Sequence, residues 1–178
     1  FYSLGFNWNI ARERFMQGLP WVDDLRLRAA FGEVGNNAGV GRYQSLGTWG
    51  ADKYYNYGPY SGFGHTQLSN PALQWEKQRM LNIGLDFGFL DDRITGSVEV
   101  FRKTSDGLLY NFPLPTSHGI SSIMMNLAQV QNQGVGFEMA ADVVRTRDFT
   151  WNLGFNFSAS GDKILDLAGD DDITMSTT

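Results

Sequence analysis

Apolar residues alternate with small or polar residues in six separate stretches of the sequence, and this alternation restricts the fold more than any other feature. Successive side chains of a β-strand point to opposite faces, so each stretch predicts a strand with one apolar and one polar face. The stretches are residues 2–10, 25–31, 81–89, 94–100, 134–143 and 151–157. They predict an all-β chain, an antiparallel meander of six strands in sequential order.

The predicted connections differ in length in a regular way. Asp91-Asp92 and Thr146-Arg147-Asp148 are tight turns, whereas residues 35–71 and 104–125 are long loops. Residues 11–24 are intermediate and predict one helical turn over 12–16. Short turns therefore fall at one edge of the sheet and long loops at the other, an asymmetry typical of outer-membrane barrels.

The register of the predicted turns is consistent with this sheet. A two-residue turn at Asp91-Asp92 places Ile83 opposite Val100, so that the apolar positions of both strands share one face. The last two strands carry apolar residues at odd positions, such as Phe137 and Phe155. Their connection must therefore have an odd length, which Thr146-Arg147-Asp148 satisfies.

The composition of the two faces indicates what surrounds the sheet. A soluble β-sandwich usually exposes Lys, Glu, Thr and Arg, but charged residues make up only 19% of this chain and the polar face is mostly Gly, Asn and Ser. A wet lumen suits that face and lipid suits the apolar one. Trp8, Trp21 and Trp151 near strand ends fit an interfacial aromatic girdle. A soluble sandwich, with these tryptophans in its core, remains the alternative.

Several other classes of protein are excluded. Residues 107–137 lack Asp, Glu, Lys and Arg, but Pro113, Pro115 and several amide side chains prevent a transmembrane helix. The net charge of -5 and the lack of a basic run argue against a nucleic-acid partner. Without cysteine, the chain has no disulfide, thiolate zinc site or thiol nucleophile.

Seven stretches, in order, resemble the SusC/RagA group of TonB-dependent outer-membrane transporters. They cover nearly the whole chain, so residues 1–178 are interpreted as part of the barrel domain of such a protein. The stretches are 4–10 (LGFNWNI), 19–36 (LPW and LRLRAAFGEVGN), 70–76 (NPALQWE), 81–98 (LNIGLDF and RITGSV), 112–119 (FPLPTSHG), 132–138 (NQGVGFE) and 164–167 (ILDL).

The resemblance implies a barrel of about 22 strands with an N-terminal plug, of which this chain supplies six strands. It implies a location in the outer membrane of a Gram-negative bacterium and import of oligosaccharides or peptides. The implied partners are the TonB complex, a SusD-like surface lipoprotein, the plug domain of the same protein and lipid. Sequence beyond both ends of the chain is expected, including the plug and the segment that contacts TonB.

Candidate catalytic and metal-binding patterns are weak. His65 and His118 lie far apart in long loops, and the Asp170-Asp171-Asp172 run lacks EF-hand spacing. No serine stands in a Gly-x-Ser-x-Gly elbow, and the glycines of residues 32–41 match neither nucleotide fingerprint. We therefore expect no enzyme activity, cofactor or metal site.

Charged residues on the polar face are predicted to line the barrel lumen or contact the plug. Glu138 and Asp142 belong to this set, because positions i and i+4 of one strand lie about 13 Å apart, too far for a pair of glycosidase carboxylates. The predicted lumen-facing residues are Arg26, Arg28, Asp86, Glu99, Glu138 and Asp142.

The first long loop is the strongest candidate for ligand binding. Its aromatic residues are interleaved with Gly, Asn and Ser, a mixture that offers stacking faces and adaptable hydrogen bonds to a sugar or peptide. The candidates are Tyr43, Trp49, Tyr54, Tyr55, Tyr57 and Tyr60, with Phe63 beside them. Packing among loops is the competing role. A soluble β-rich carbohydrate-binding module using the same aromatics is the alternative function.

Overall fold

A computed structural model describes residues 1–51, 55–115, 117 and 119–167 of the chain. The strands are β1 (Ser3–Asn9), β2 (Val22–Asn36), β3 (Thr48–Ala51), β4 (Phe63–Gln67), β5 (Glu76–Phe89), β6 (Ile94–Pro113), β7 (Ser122–Arg145) and β8 (Thr150–Leu167). Two 3-10 turns, Ile10–Arg12 and Arg14–Met16, lie where the sequence predicts a helical turn. Neither turn, nor any other helix among the described residues, has the length and apolarity needed to span a bilayer.

Six strands form one antiparallel sheet in the order β1-β2-β5-β6-β7-β8. This confirms the predicted meander of six sequential strands. β3 and β4 form a separate two-stranded sheet within the first long connection, where the sequence predicts only a loop. The six-stranded sheet is open in the described part of the chain, with β1 and β8 at its edges.

The short connections lie together at one end of the strands of the six-stranded sheet. The Leu90 amide donates to the Trp21 carbonyl at 3.0 Å, and Arg145 Nη1 donates to the Asp91 carbonyl at 3.3 Å. These bonds join the β1–β2, β5–β6 and β7–β8 connections. The β2–β5 and β6–β7 connections follow the other ends of these strands because the strands are antiparallel. The short and long connections are therefore separated as the sequence predicts.

The turn between β5 and β6 lies where its sequence predicts it, although positive φ begins one residue earlier, at Leu90 (61°). Asp91 and Asp92 have φ values of 57° and 55°, and the Arg93 amide donates to the Leu90 carbonyl at 3.3 Å. Positive φ at both central residues is the requirement of a type I′ hairpin turn, and Asp tolerates this conformation better than most residues.

The second long connection is shorter than the predicted loop over 104–125. β6 continues to Pro113 and β7 begins at Ser122, and the Leu114 amide donates to the Ser121 carbonyl at 2.9 Å. Gly107 adopts a φ of +65° within β6, where glycine carries the least steric cost. The turn-like sequence around Gly107 is thus accommodated inside a strand.

The register confirms the assignment of side chains to two faces. β1 and β2 pair Leu4 with Phe31 and Trp8 with Leu27, whereas the polar residue Asn7 pairs with Arg28. We call the side of the sheet that carries Leu4 and Trp8 the apolar face, and the side that carries Asn7 and Arg28 the polar face. Across β7 and β8, the rings of Phe137 and Phe155 are 6.1 Å apart on the apolar face, and Asn152 Nδ2 donates to Asp142 Oδ1 at 2.9 Å on the polar face.

The chain forms two compact units. The first comprises Phe1–Val34, Gln78–Thr104 and Gln131–Lys163, and the second comprises Gly35–Lys77, Ser105–Val130 and the residues from Ile164 onwards. The apolar face of the first unit carries half-buried and exposed side chains, and the exposed ones range from 37% for Val135 to 75% for Leu4. No apolar side chain among the described residues is buried. An exposed apolar face of this extent is typical of a surface that contacts lipid or another protein segment.

Candidate functional site

The polar face of the first unit carries a bidentate ion pair. Arg28 Nε lies 2.7 Å from Asp86 Oδ2, and Arg28 Nη2 lies 2.8 Å from Asp86 Oδ1. Arg28 is on β2 and Asp86 on the neighbouring β5, both at polar-face positions. A Cβ added at Gly84 would lie 3.1 Å from the Arg28 guanidinium, so the glycine leaves room for it. The two parallel hydrogen bonds fix the orientation of the Arg28 side chain.

The other predicted lumen-facing residues also lie on this face, and most have side-chain partners that the alternation pattern does not predict. Amide side chains supply several of these partners, and Asn is common on the polar face, which is the only sequence pattern that points to them. The pairs are Asp24 with Arg26 (3.2 Å), Asn82 with Glu99 (2.8 Å) and Asn152 with Asp142 (2.9 Å). Asn132 also binds Asp162 (2.6 Å), which is not among the predicted residues.

A shallow cavity of about 450 Å³ opens on the polar face over β6, β7 and β8. Glu99 and Glu138 line it together with Asn156 and Ser158. Its walls offer carboxylates, an amide and a hydroxyl to water or to another polypeptide segment. This chemistry fits a polar lining, as the sequence predicts for Glu99 and Glu138.

Phe101 is an aromatic residue on the polar face and is not among the predicted lumen-facing residues. A Cβ added at Gly134 would lie 2.8 Å from the Phe101 ring and 2.7 Å from the Ala159 carbonyl oxygen. Phe101 therefore packs directly on the backbone of Gly134. Extending the β6 alternation one residue beyond Val100 would have placed this ring on the polar face.

In the second unit, the polar residues of the 70–76 stretch bind backbone groups. Asn70 Nδ2 donates to the Met124 carbonyl at 2.8 Å, and Glu76 Oε1 accepts from the Leu109 amide at 3.1 Å. The Asn126 side chain accepts from the Gln74 amide and donates to the Gln74 carbonyl, both at 2.9 Å. These bonds attach the first long connection to β6 and β7.

Replacing Asn126 with Asp should loosen this attachment. A carboxylate can still accept from the Gln74 amide, but it cannot donate to the Gln74 and Gly107 carbonyls. Two lost hydrogen bonds predict a local destabilisation of about 1 to 2 kcal/mol. Hydrogen exchange in the full-length protein should show faster exchange of residues 70–76. Unchanged exchange there would contradict the attachment.

The two-stranded sheet of β3 and β4 carries an aromatic face. Trp49 pairs with His65, and their ring centroids are 3.7 Å apart; Ala51 pairs with Phe63. Trp49 is 64% exposed and Phe63 71% exposed. The opposite face holds Gly50 and Gly64, because alternate positions of a strand point to opposite sides. We call the Trp49, Phe63 and His65 surface the aromatic platform.

Tyr55 differs from the other aromatic candidates because it packs within the unit. Its ring lies against Gly64. Its hydroxyl can donate to the His65 carbonyl at 3.3 Å or to the Gly119 carbonyl at 3.2 Å. Tyr55 therefore holds the connection together, the competing role considered for these residues.

Tyr57 and Tyr60 form the base of a tight turn. Their backbones exchange two hydrogen bonds, of 3.0 and 3.2 Å, and Gly58 has a φ of +60°. Both side chains are highly exposed, as is Tyr43. Tyr54 lies outside the described residues. Tyr43, Trp49, Tyr57 and Tyr60 are therefore the described candidates whose rings are open to a ligand.

The described residues add no support for a metal-binding site. Within the described residues, no group of three or more His, Asp or Glu side chains is arranged to hold a metal ion. His118 and the Asp170-Asp171-Asp172 run lie outside the described residues, and His65 stacks on Trp49.

Comparison with known proteins gives consistent matches over almost the whole chain. The family model described as "TonB dependent receptor-like, beta-barrel" matches residues 1–177. TonB-dependent receptor P39 of Formosa agariphila is 36% identical over 171 residues, covering 96% of this chain and 16% of that protein. TonB-dependent receptor SusC of Bacteroides thetaiotaomicron is 33% identical over 180 residues, covering 97% of this chain and 18% of that protein.

Solved structures resemble the fold as well. The RagAB peptide importer in its "open-open" state has a TM-score of 0.78 and 27% identity, covering 92% of this chain and 18% of the matched chain. The RagAB peptide transporter gives a TM-score of 0.76 at the same identity, covering 93% of this chain and 18% of the matched chain. This chain thus spans less than one fifth of the length of each of these proteins.

Proposed function

The chain belongs to the TonB-dependent receptor-like β-barrel family, and from that membership we propose that its full-length protein imports oligosaccharides or peptides across the outer membrane of a Gram-negative bacterium. One observation supports this most: a single sheet presents an exposed apolar face on one side and paired charges and amides on the other. Such a sheet fits a barrel wall between lipid and a wet lumen. A soluble carbohydrate-binding module would leave the apolar face in water.

The polar face is proposed to line the lumen and to contact the plug domain of the same protein. Arg28 and Asp86 hold each other in a fixed orientation, whereas Glu138 is exposed in the cavity over β6–β8. Satisfied pairs supply a rigid wall, and exposed carboxylates offer acceptors to the plug. We further propose energy coupling through TonB and a SusD-like surface lipoprotein as the lid of the full-length protein.

Substrate contact is proposed for the aromatic platform and for the exposed tyrosines Tyr43, Tyr57 and Tyr60. Aromatic rings stack on the apolar faces of sugars and on peptide side chains, and they lose little conformational entropy when they bind. Pairing in β3–β4 fixes the backbone beneath Trp49 and Phe63. The Trp49 ring is also packed against His65, which restricts it before a ligand arrives and lowers the entropic cost of binding.

Transport is tested by uptake of labelled oligosaccharides and labelled oligopeptides into cells that express the full-length protein. We expect one of the two classes to accumulate, and accumulation should cease when TonB is removed. The protein should also require detergent for extraction from membranes. Extraction without detergent, together with ligand binding but no uptake, would instead support the soluble binding module.

Replacing Trp49 with Ala should weaken substrate binding. Loss of one aromatic stacking partner costs about 0.5 to 1.5 kcal/mol beyond its buried area, which predicts a rise in apparent KM of about 2- to 13-fold. Uptake measured over a range of substrate concentrations gives this value. Trp151→Ala is the matched control, because it removes a comparably exposed tryptophan, 51% against 64%, from the apolar face. An equal KM for Trp49→Ala and the wild type would exclude Trp49 from substrate contact.

A further inference from the structure

A groove of about 610 Å³ crosses the apolar face of the first unit. Its apolar lining comes from β5, β6 and β7, and its β8 side is formed by the small residues Ala159 and Gly161. A Cβ added at Gly161 would meet no atom within 4 Å, so the groove is open there. The apolar side chains that line it are Leu81, Ile83, Val100 and Val135.

Two cations lie at one end of this groove. Arg102 follows Val100 on β6, and Lys163 follows Gly161 on β8, each at the next position of the apolar face. Both side chains are exposed, and neither makes a hydrogen bond or ion pair with another residue in the described ranges. The nearest carboxylate in sequence, Asp162, accepts from Asn132 on the polar face. Asp162 lines the groove from a polar-face position, and Gln133 adds a neutral amide on the apolar face.

The direction of the strands places the cations toward the long connections. β6 leaves the short turn at Ile94, runs through Val100 and then reaches Arg102. β8 likewise leaves its short turn at Thr150 and reaches Lys163 near its far end. In outer-membrane barrels the long connections are extracellular, so the cations would stand at the level of the outer-leaflet headgroups.

We propose that this groove binds a phosphate-bearing lipid of the outer leaflet, with an acyl chain along Leu81, Ile83, Val100 and Val135 and a phosphate at Arg102 and Lys163. The inference rests on the proposed location in the outer membrane. Charge complementarity selects this occupant, because phosphate is the common anion of membrane lipids and the two cations lie at one end of a groove whose apolar side chains are Leu81, Ile83, Val100 and Val135. We name the site the Arg102–Lys163 groove.

The proposal is tested on the full-length protein in neutral detergent, with diphosphoryl lipid A as the probe and with the same lipid stripped of phosphate as its control. Binding is measured by native mass spectrometry. Each cation near an anionic lipid contributes about a fivefold gain in affinity, so the double variant Arg102→Gln/Lys163→Gln should bind lipid A about 30-fold more weakly. The stripped lipid should bind both proteins equally.

Lys103→Gln is the matched control, because Lys103 is adjacent to Arg102 on β6 but at a polar-face position. It should leave lipid A binding unchanged. Gly161→Phe fills the groove without changing its charge and should weaken binding of both lipids. Inorganic phosphate at equal concentration should not compete with lipid A; effective competition would assign the cations to free phosphate and overturn the proposal.

Two further results would also overturn it: equal lipid A binding by the double variant and the wild type, or an equal loss in Lys103→Gln. Failure of the proposed function has a different signature. A protein that is not a membrane barrel would leave membranes without detergent and would retain neither lipid. Substrate uptake by the double variant should equal that of the wild type, since Arg102 and Lys163 lie outside the proposed substrate and lumen surfaces.

Discussion

Phe155→Arg is expected to destabilise the full-length protein by about 2 to 4 kcal/mol if position 155 lies near the bilayer midplane. Phe155 is on the apolar face of β8, 54% exposed, and its ring is 6.1 Å from that of Phe137. An arginine there must place its charge in hydrocarbon or distort the surrounding lipid. Denaturant titration in lipid or detergent measures the difference.

Asn156→Arg provides the control within the same strand. Asn156 lines the polar-face cavity with Glu99 and Glu138, so an arginine at this position meets water and two carboxylates. Its cost should be much smaller than that of Phe155→Arg. Because the two positions are adjacent, effects on expression and assembly largely cancel. Equal costs, or a larger cost at Asn156, would show that the apolar face is not in lipid.

The strands and their two faces could be predicted from sequence because alternation is a local property. The alternation within each strand shows which of its residues share a face. The pairing of Phe6 with Ala29 and the contact of Asp142 with Asn152 then follow if residues on the same face stay on the same face across the turn. The extent of the strands could not be predicted in the same way. Gly107 and Pro113 resemble turn residues, yet pairing with β7 holds both within β6.

The sequence predicts which residues belong to the candidate site, but not which of them contact each other. The sequence separates Arg28 from Asp86 by 58 positions, and only the register of β2 and β5 brings them together. It also gives equal weight to Tyr55 and Tyr57. Tyr55 packs on Gly64 while Tyr57 is 87% exposed, a difference decided by the fold of the β3–β4 connection rather than by residue type.

Gly134→Ala is expected to destabilise the full-length protein by about 2 to 3 kcal/mol, in the upper range for overpacking of a well-filled site. The added methyl group would lie 2.7 Å from the Ala159 carbonyl oxygen on β8 and 2.8 Å from the Phe101 ring on β6. Phe101 can rotate away, but the carbonyl belongs to the backbone of the sheet. Relief therefore requires that β7 and β8 shift apart, which weakens their hydrogen bonds.

Gly136→Ala is the matched control, two residues further along β7 and on the same face, where an added Cβ meets no atom within 4 Å. This substitution should be neutral or slightly stabilising, because alanine restricts the unfolded chain more than glycine does. Phe101→Leu combined with Gly134→Ala should recover only part of the loss, since it removes the ring but not the carbonyl. Full recovery would show that the ring alone crowds Gly134, and equal stability of Gly134→Ala and Gly136→Ala would contradict the close approach of β8 to Gly134.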